Sequence, residues 1–155
     1  MSLAPFVGTP PYIVKKMLEL TELKPWETLY DLGCGDGRVI LMAAQEFGAR
    51  AVGVELDRGR YITCLKKVQE NHLGDRVRVI HEDLMKVDIS PADVVTLYLL
   101  TSANEKVKPN LERYLKKGAR VVSHDFEIPG WRPVRIQEVT EPHGYSHTIY
   151  VYKKS

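Results

Sequence analysis

Three glycines at alternate positions, Gly33, Gly35 and Gly37, follow a carboxylate, Asp31, in the stretch YDLGCGDGRVI. Glycines let backbone N–H groups approach a ligand with no Cβ in the way, and a helix N-terminus behind such a loop favours negative charge, so phosphates and carboxylates both suit it. Two further acids close later apolar runs. Glu55 lies 20 residues after Gly35, a separation at which a carboxylate can take ribose hydroxyls, and Asp83 closes the next run. A fourth polar constellation, His124 and Asp125, ends a run nearer the C-terminus.

The dinucleotide fingerprint needs a third glycine where this chain has Arg38, and the lysine of a phosphate-binding P-loop is absent. Asp31 would repel a pyrophosphate, yet it suits a ligand carrying an ammonium beside a carboxylate, as the amino-acid end of S-adenosylmethionine does. The pattern D-x-G-x-G-x-G resembles the loop of the class I S-adenosylmethionine-dependent methyltransferases. That resemblance implies S-adenosylmethionine as cofactor, with Asp31 facing the methionine amine, Glu55 the ribose and Asp83 the adenine amino group. Leu84 would supply an amide to the ring, with Gly33, Cys34, Gly35, Gly37, Leu56 and Tyr98 completing the contact set. Among the neighbours, Asp36 and Asp57 read as helix caps, Glu82 as a solvated acid, Cys34 as a small residue in a tight loop, and Cys64 and Met42 as core.

The elements that must position these groups follow from periodicity. GTPPYIVKKMLELTEL reads as a lead helix capped by Thr9, with prolines in its first turn and one apolar stripe. Strands are expected at TLYDL, AVGVELD, RVRVIHEDL, ADVVTLYLL and ARVVSHDF, with helices at RVILMAAQEF, RGRYITCLKKVQENHL and ANEKVKPNLERYLKKG. Five strand–helix units predict an α/β, Rossmann-like, mostly parallel doubly wound sheet. VRIQEVT and SHTIYVYKK then alternate with period two about EPHGY and predict a C-terminal β-hairpin, one strand of it antiparallel at or near an edge, giving seven strands. We expect a single methyltransferase domain over 1–155: a lead segment and helix at 1–24, a cofactor-binding core at 28–133 and the hairpin at 134–153.

Bulk properties narrow the class. With 155 residues, 44% hydrophobic and 27% charged, the chain suits one globular domain, and its formal charge of +2 lacks the basic excess typical of a phosphate-binding surface. Cys34 and Cys64 form neither a CxxC pair nor a metal-ligand pattern, so a disulfide scaffold and a zinc site are not expected. No apolar run approaches the roughly 20 residues that cross a bilayer, and the N-terminus lacks a signal layout. We therefore expect a cytoplasmic monomer with no membrane association, no metal, and no nucleic acid as main substrate.

The acceptor is harder to read. The tetrapeptide that marks adenine or glutamine amide methylation is missing after the fourth strand, where TLYLLTSANE stands, and no cysteine sits where a cytosine-attacking nucleophile belongs. PFVGTP, the run VVTLYLLTSANEKVKPNLERYLKKGARVVSHDFEIPGW and the closing HTIYVY resemble the compact archaeal protein-lysine methyltransferases and their mitochondrial lysine-methylating relatives. Gly8-Thr9 is similar to the Gly-x-Thr element of the Dot-type enzymes without its intervening acid, which adds Thr9 to the cofactor set. The implied activity is methyl transfer to deprotonated lysine on protein substrates, the alternative being RNA or a small molecule through the same cofactor site. Tyr98, His124, Asp125 and Trp131 are then the candidate substrate-orienting residues, Trp131 as a wall of the lysine channel. Thr101 and Asn104 offer polar contacts or caps, Ser102 is expected to cap the fourth helix, and His72, His81, His143 and His147 are expected to be structural.

Overall fold

The computed structural model describes residues 8–155. Elements run α1 (Pro11–Leu20), β1 (Thr28–Leu32), α2 (Arg38–Phe47), β2 (Arg50–Glu55), α3 (Arg58–Glu70), β3 (Val77–His81), β4 (Val94–Leu97), α4 (Thr101–Tyr114), β5 (Arg120–His124), β6 (Arg135–Thr140) and β7 (Ser146–Lys153). One seven-stranded sheet results, ordered β3-β2-β1-β4-β5-β7-β6. Strands β1 to β5 pair in parallel, whereas β7 lies antiparallel to β5 and β6. The order reverses between β1 and β4, which opens a crevice at their carboxyl ends.

Strand parity decides which face each side chain meets. Leu29 and Val94 bury against α1, α2 and α3, while Tyr30, Leu32, Val95 and Leu97 bury on the face covered by α4. Helix α1 divides its stripe: Val14 and Leu18 join the cluster under α2, and Ile13 and Met17 pack on Val122, Ile149 and Val151 of β5 and β7. Strand β7 is apolar on both faces, with Ile149 and Val151 on one and Tyr150 and Tyr152 on the other. That explains its place inside the sheet. The edge falls to β6, where Arg135, Ile136 and Glu138 are exposed.

Three expectations about the elements need correction. A single 3-10 turn, Leu84–Lys86, stands between β3 and β4, and β5 runs into a loop, so three of the first five strands carry a full helix behind them. Asp83 starts that turn by accepting from Met85 N–H at 2.9 Å, and Asp88, Ser90 and Pro91 leave no helical stretch before β4. Thr9 does not cap α1, whose N-cap position is Pro10. Ser102 does not cap α4, which starts at Thr101 behind Leu100 without a side-chain cap. Most of the lead segment ahead of α1, including the start of PFVGTP, falls on residues 1–7, outside the described residues.

Candidate active site

At the cofactor side of the crevice, Asp31 is the penultimate residue of β1 and Glu55 the last of β2, both buried. Glu55 grips the chain with both oxygens: Oε1 accepts from Gly35 N–H at 2.8 Å and Oε2 from Asp57 N–H at 3.0 Å. Asp57 in turn accepts from Arg60 N–H and caps α3, as its position in the sequence suggests. Gly33, Gly35 and Gly37 adopt left-handed φ of 91°, 56° and 86°, which L side chains rarely tolerate. A Cβ on Gly35 would meet nothing within 4 Å. At Gly35 the loop therefore presents bare backbone to open space.

Its amides serve a different end from the anion cradle the glycine pattern suggests. Gly33 and Cys34 N–H both donate to Val54 O, Gly35 N–H to Glu55, and Gly37 N–H to Cys34 O. These four donors are consumed in building the turn, so the loop supplies shape, and the carboxylates supply the polar recognition. Thr96 hydroxyl donates to Asp31 Oδ1 at 2.8 Å. Burial nevertheless pushes the Asp31 carboxyl up to about 7, with Glu55 and Asp36 nearby adding to the rise.

Flanking residues close this half. Asp36 does not occupy the cap of α2, whose N-cap position is Gly37; it accepts from Arg38 N–H and binds the Arg38 guanidinium, whose Nη1 donates to Thr9 O at 2.8 Å. Asp83 commits one oxygen to Met85 N–H, Leu84 is buried, and Leu56 is 61% exposed, an apolar surface directly beside Glu55. Cys34 and Cys64, distant in sequence, lie with sulfurs 3.6 Å apart as free thiols, and Cys64 donates to Gly35 O. The contact with Cys64, together with burial, pushes the Cys34 thiol up, so it stays protonated.

The other side of the crevice holds Tyr98, which follows β4 and stacks on the His124 ring at 4.1 Å between centroids, with Phe126 at 6.0 Å. Burial, and then the Asp125 carboxylate, raise its hydroxyl above the usual tyrosine value, leaving it a donor at neutral pH. His124 is fully buried on the α1 face of β5; its Nδ1 meets Thr9 Oγ1 at 3.0 Å and its Nε2 meets His147 Nδ1 at 2.8 Å. Burial lowers His124 to about 4, so the ring is neutral. Asp125 holds φ at 63° and accepts from Thr148 N–H through Oδ1, with Oδ2 3.4 Å from His124 Nε2. Asn104 is fully buried, neither a cap nor a surface contact: its Nδ2 donates to Phe126 O and Glu127 O, fixing the loop after β5.

Two expectations fail here. Trp131 is not a wall of the crevice. Its ring meets Tyr152 edge-on and its Nε1 donates to Glu112, in the last turn of α4, while Tyr152 pairs with Val121, three residues short of the carboxyl end of β5. Four residues after Phe126, the turn at Gly130 has carried the chain down the α4 face. His147, expected to be structural and in no ligand set, instead touches His124, and His124, Asp125 and His147 each offer a ligand atom within 4.8 Å of the others. The missed signal was parity: Val122 and His124 of β5 and His147, Ile149 and Val151 of β7 all face α1.

With this geometry in view, comparison with known proteins places the chain. The model of the ANTKMT methyltransferase domain matches residues 31–135. A protein-lysine N-methyltransferase of Saccharolobus islandicus (strain REY15A) is 45% identical over 96% of this chain and 92% of its own length. The adenine nucleotide translocase lysine N-methyltransferase of Mus musculus is 34% identical over 85% of this chain, which spans 57% of that longer protein. Among solved structures, an RNA methyltransferase from Salinibacter ruber in complex with S-adenosyl-L-homocysteine superposes with a TM-score of 0.88 at 42% identity, covering 95% of this chain and 93% of that one.

Proposed function

The chain belongs to the ANTKMT methyltransferase domain family, and from that premise we propose that it is a protein-lysine N-methyltransferase. S-adenosylmethionine is the cofactor, and bound there it supplies an electrophilic methyl group on a sulfonium. The residues present fit it: carboxylates near the ends of β1 and β2 and just past β3, an exposed leucine and a glycine loop open at Gly35. Asp31 takes the ammonium of the amino-acid end, Glu55 the ribose, and Asp83 the adenine amino group, with Leu56 under the ring. Glu55 can do so only while it also holds Gly35 and Asp57, so loop shape and ribose recognition are one device.

The observation that carries the choice of acceptor is the acidic rim that Asp125 sets beside Tyr98. Its carboxylate raises the Tyr98 hydroxyl, whereas Glu127 and Glu138 act on Tyr150, on the α4 face of the sheet. A lysine ammonium is drawn to such a rim and a nucleic-acid phosphate is repelled. Removing the ammonium proton at pH 7 costs about 4 to 5 kcal/mol from a reference pKa near 10.4. Desolvation in the crevice and the adjacent sulfonium charge both favour the neutral amine. Tyr98 then orients it by packing along the stem, Asp125 holds it from the rim, and alignment supplies much of the remaining acceleration.

RNA is the second reading, favoured by the name under which the Salinibacter ruber relative is described. Methyl-labelled S-adenosylmethionine, incubated with purified protein and a clarified lysate, separates the two. Label recovered as N-methyl-lysine after acid hydrolysis is the expected result, whereas label released by nuclease and resistant to protease overturns the lysine assignment and keeps the cofactor site. We also propose that residues 1–155 act as a single domain and a monomer in the cytoplasm, a reading the two free thiols favour and that sizing and cell fractionation check.

A further inference from the structure

We propose that His124, Asp125 and His147 form a divalent transition-metal site at the end of β5, of the kind that takes Zn2+. Nothing in the methyl-transfer reading calls for a metal, and an ion here would take from the acceptor amine the Asp125 oxygen that Thr148 leaves open. The facing atoms are His124 Nε2, His147 Nδ1 and Asp125 Oδ2, and one ligand atom of each residue lies within 4.8 Å of the others. Their recorded separations are 2.8 Å between the ring nitrogens and 3.4 Å from His124 Nε2 to the carboxylate. Ligands about 2.0 to 2.1 Å from a tetrahedral zinc stand about 3.3 Å apart, so the second separation already fits and the first must open by about 0.5 Å.

What distinguishes this trio from a chance cluster is that two ligands have an outer hydrogen-bond partner and the third has a carboxylate close to its remote nitrogen. His124 Nδ1 meets Thr9 Oγ1 at 3.0 Å, Asp125 Oδ1 accepts from Thr148 N–H at 2.9 Å, and His147 Nε2 lies 3.6 Å from Glu141 Oε1. Metal-bound imidazoles ordinarily donate the remote N–H to an oxygen in this way, and ligating carboxylates are hydrogen-bonded in turn. His147 Nε2 is buried and without a hydrogen-bond partner, while Glu141 accepts from the Tyr12 hydroxyl. A His147 tautomer with its proton on Nε2 points that proton at Glu141 and frees Nδ1 for the ion. With His124 donating from Nδ1 to Thr9, both rings stay neutral and no proton is gained or lost.

The three ligands come from β5, the residue after it, and β7, and their outer partners include Thr9 ahead of α1 and Glu141 between β6 and β7. An ion there fastens the hairpin and the approach to α1 onto the sheet beside Tyr98. It also occupies Asp125 Oδ2. Only Asp125 among the ligands is partly exposed, at 23% of its side chain, so entry is from the acidic rim.

The test is a calorimetric titration of the chelator-treated full chain with Zn2+ alone, repeated on His147→Gln and Asp125→Asn, with S-adenosylmethionine binding as the check on folding. One tightly bound Zn2+ per chain, lost in both variants, is expected, and Thr9→Val should weaken it by about 10- to 100-fold as an outer-partner loss. Uptake by the wild type no stronger than by His147→Gln overturns the site. Should the variants fail to fold, Co2+ added to the wild type decides: visible d–d bands without a thiolate charge-transfer band are expected. A thiolate band places the ion on Cys34 and Cys64, the absence of bands at stoichiometric Co2+ shows no ordered site, and either result sinks the proposal.

Discussion

The two sides of the crevice are built on different principles. On the cofactor side, the decisive contacts are short in sequence or link neighbouring strand ends: Gly35 to Glu55, Glu55 to Asp57, Asp31 to Thr96. Backbone groups do most of the holding, and the side chains that remain are carboxylates. On the acceptor side, polar side chains meet across the whole chain, with Thr9 on His124 at a separation of 115 residues and Tyr12 on Glu141 at 129. Aromatic rings stack where the other side has glycine. A loop motif thus fixes one half, whereas the other exists only once the sheet has closed over α1.

Glu55→Ala should break the comparison most severely, because it removes a ligand contact and the pin of the glycine loop together. Leaving the part-buried Gly35 and Asp57 donors without a carboxylate costs on the order of 1 to 2 kcal/mol of stability. We expect a lowered thermal midpoint and loss of most S-adenosylmethionine affinity by calorimetry, with Glu55→Gln retaining part of both. Unchanged affinity in the alanine variant would remove the ribose assignment, and unchanged stability would show that the loop holds its shape unaided.

Tyr98→Phe probes the opposite side with a milder change. It keeps the stack on His124 and deletes the hydroxyl, so turnover should fall about tenfold, or about 1.4 kcal/mol, with cofactor affinity within error of the wild type. A fall in affinity with kcat intact would move Tyr98 into the cofactor half.

The sequence exposed these halves unequally for the same reason. Asp31, the three glycines and Glu55 lie within 25 residues, and a strand followed by a glycine turn and a helix gives them a common place before any tertiary contact is known. His147 could not be read in that way: its partner depends on β7 inserting antiparallel between β5 and β6, in the register that sets Ile149 opposite His124. EIPGW follows a strand end, yet proximity in sequence is not proximity to the crevice, and Trp131 lies on the α4 face. The consumed loop amides were equally hidden, since glycine spacing does not show where N–H groups point.

Asp31 gives the comparison a pH axis. Its carboxyl sits near 7 because it is buried, while in the unfolded chain it ionises near 3.9. The folded state therefore holds the proton more tightly, and stability declines as pH rises from about 4 through about 7, then levels off. Cofactor binding runs the other way. The ammonium of S-adenosylmethionine needs the carboxylate, so affinity should fall by up to tenfold per pH unit below about 7, and Asp31→Asn should be weak and flat over the same range. A wild-type affinity independent of pH between 5 and 8 would place the ammonium elsewhere.

Trp131→Phe is the smallest expected effect and the sharpest check on the boundary of the acceptor half. The indole Nε1 donates to Glu112, a contact open to solvent, and the ring packs edge-on against Tyr152 on the α4 face. Phenylalanine keeps most of that packing and loses one exposed hydrogen bond, so stability should drop by about 1 kcal/mol or less. KM for a lysine-bearing protein substrate should not move, because no atom of this side chain reaches the Tyr98 side. A severalfold rise in KM with stability unchanged would mean that the acceptor surface extends down the α4 face past Gly130, and that the acidic rim is only its upper end.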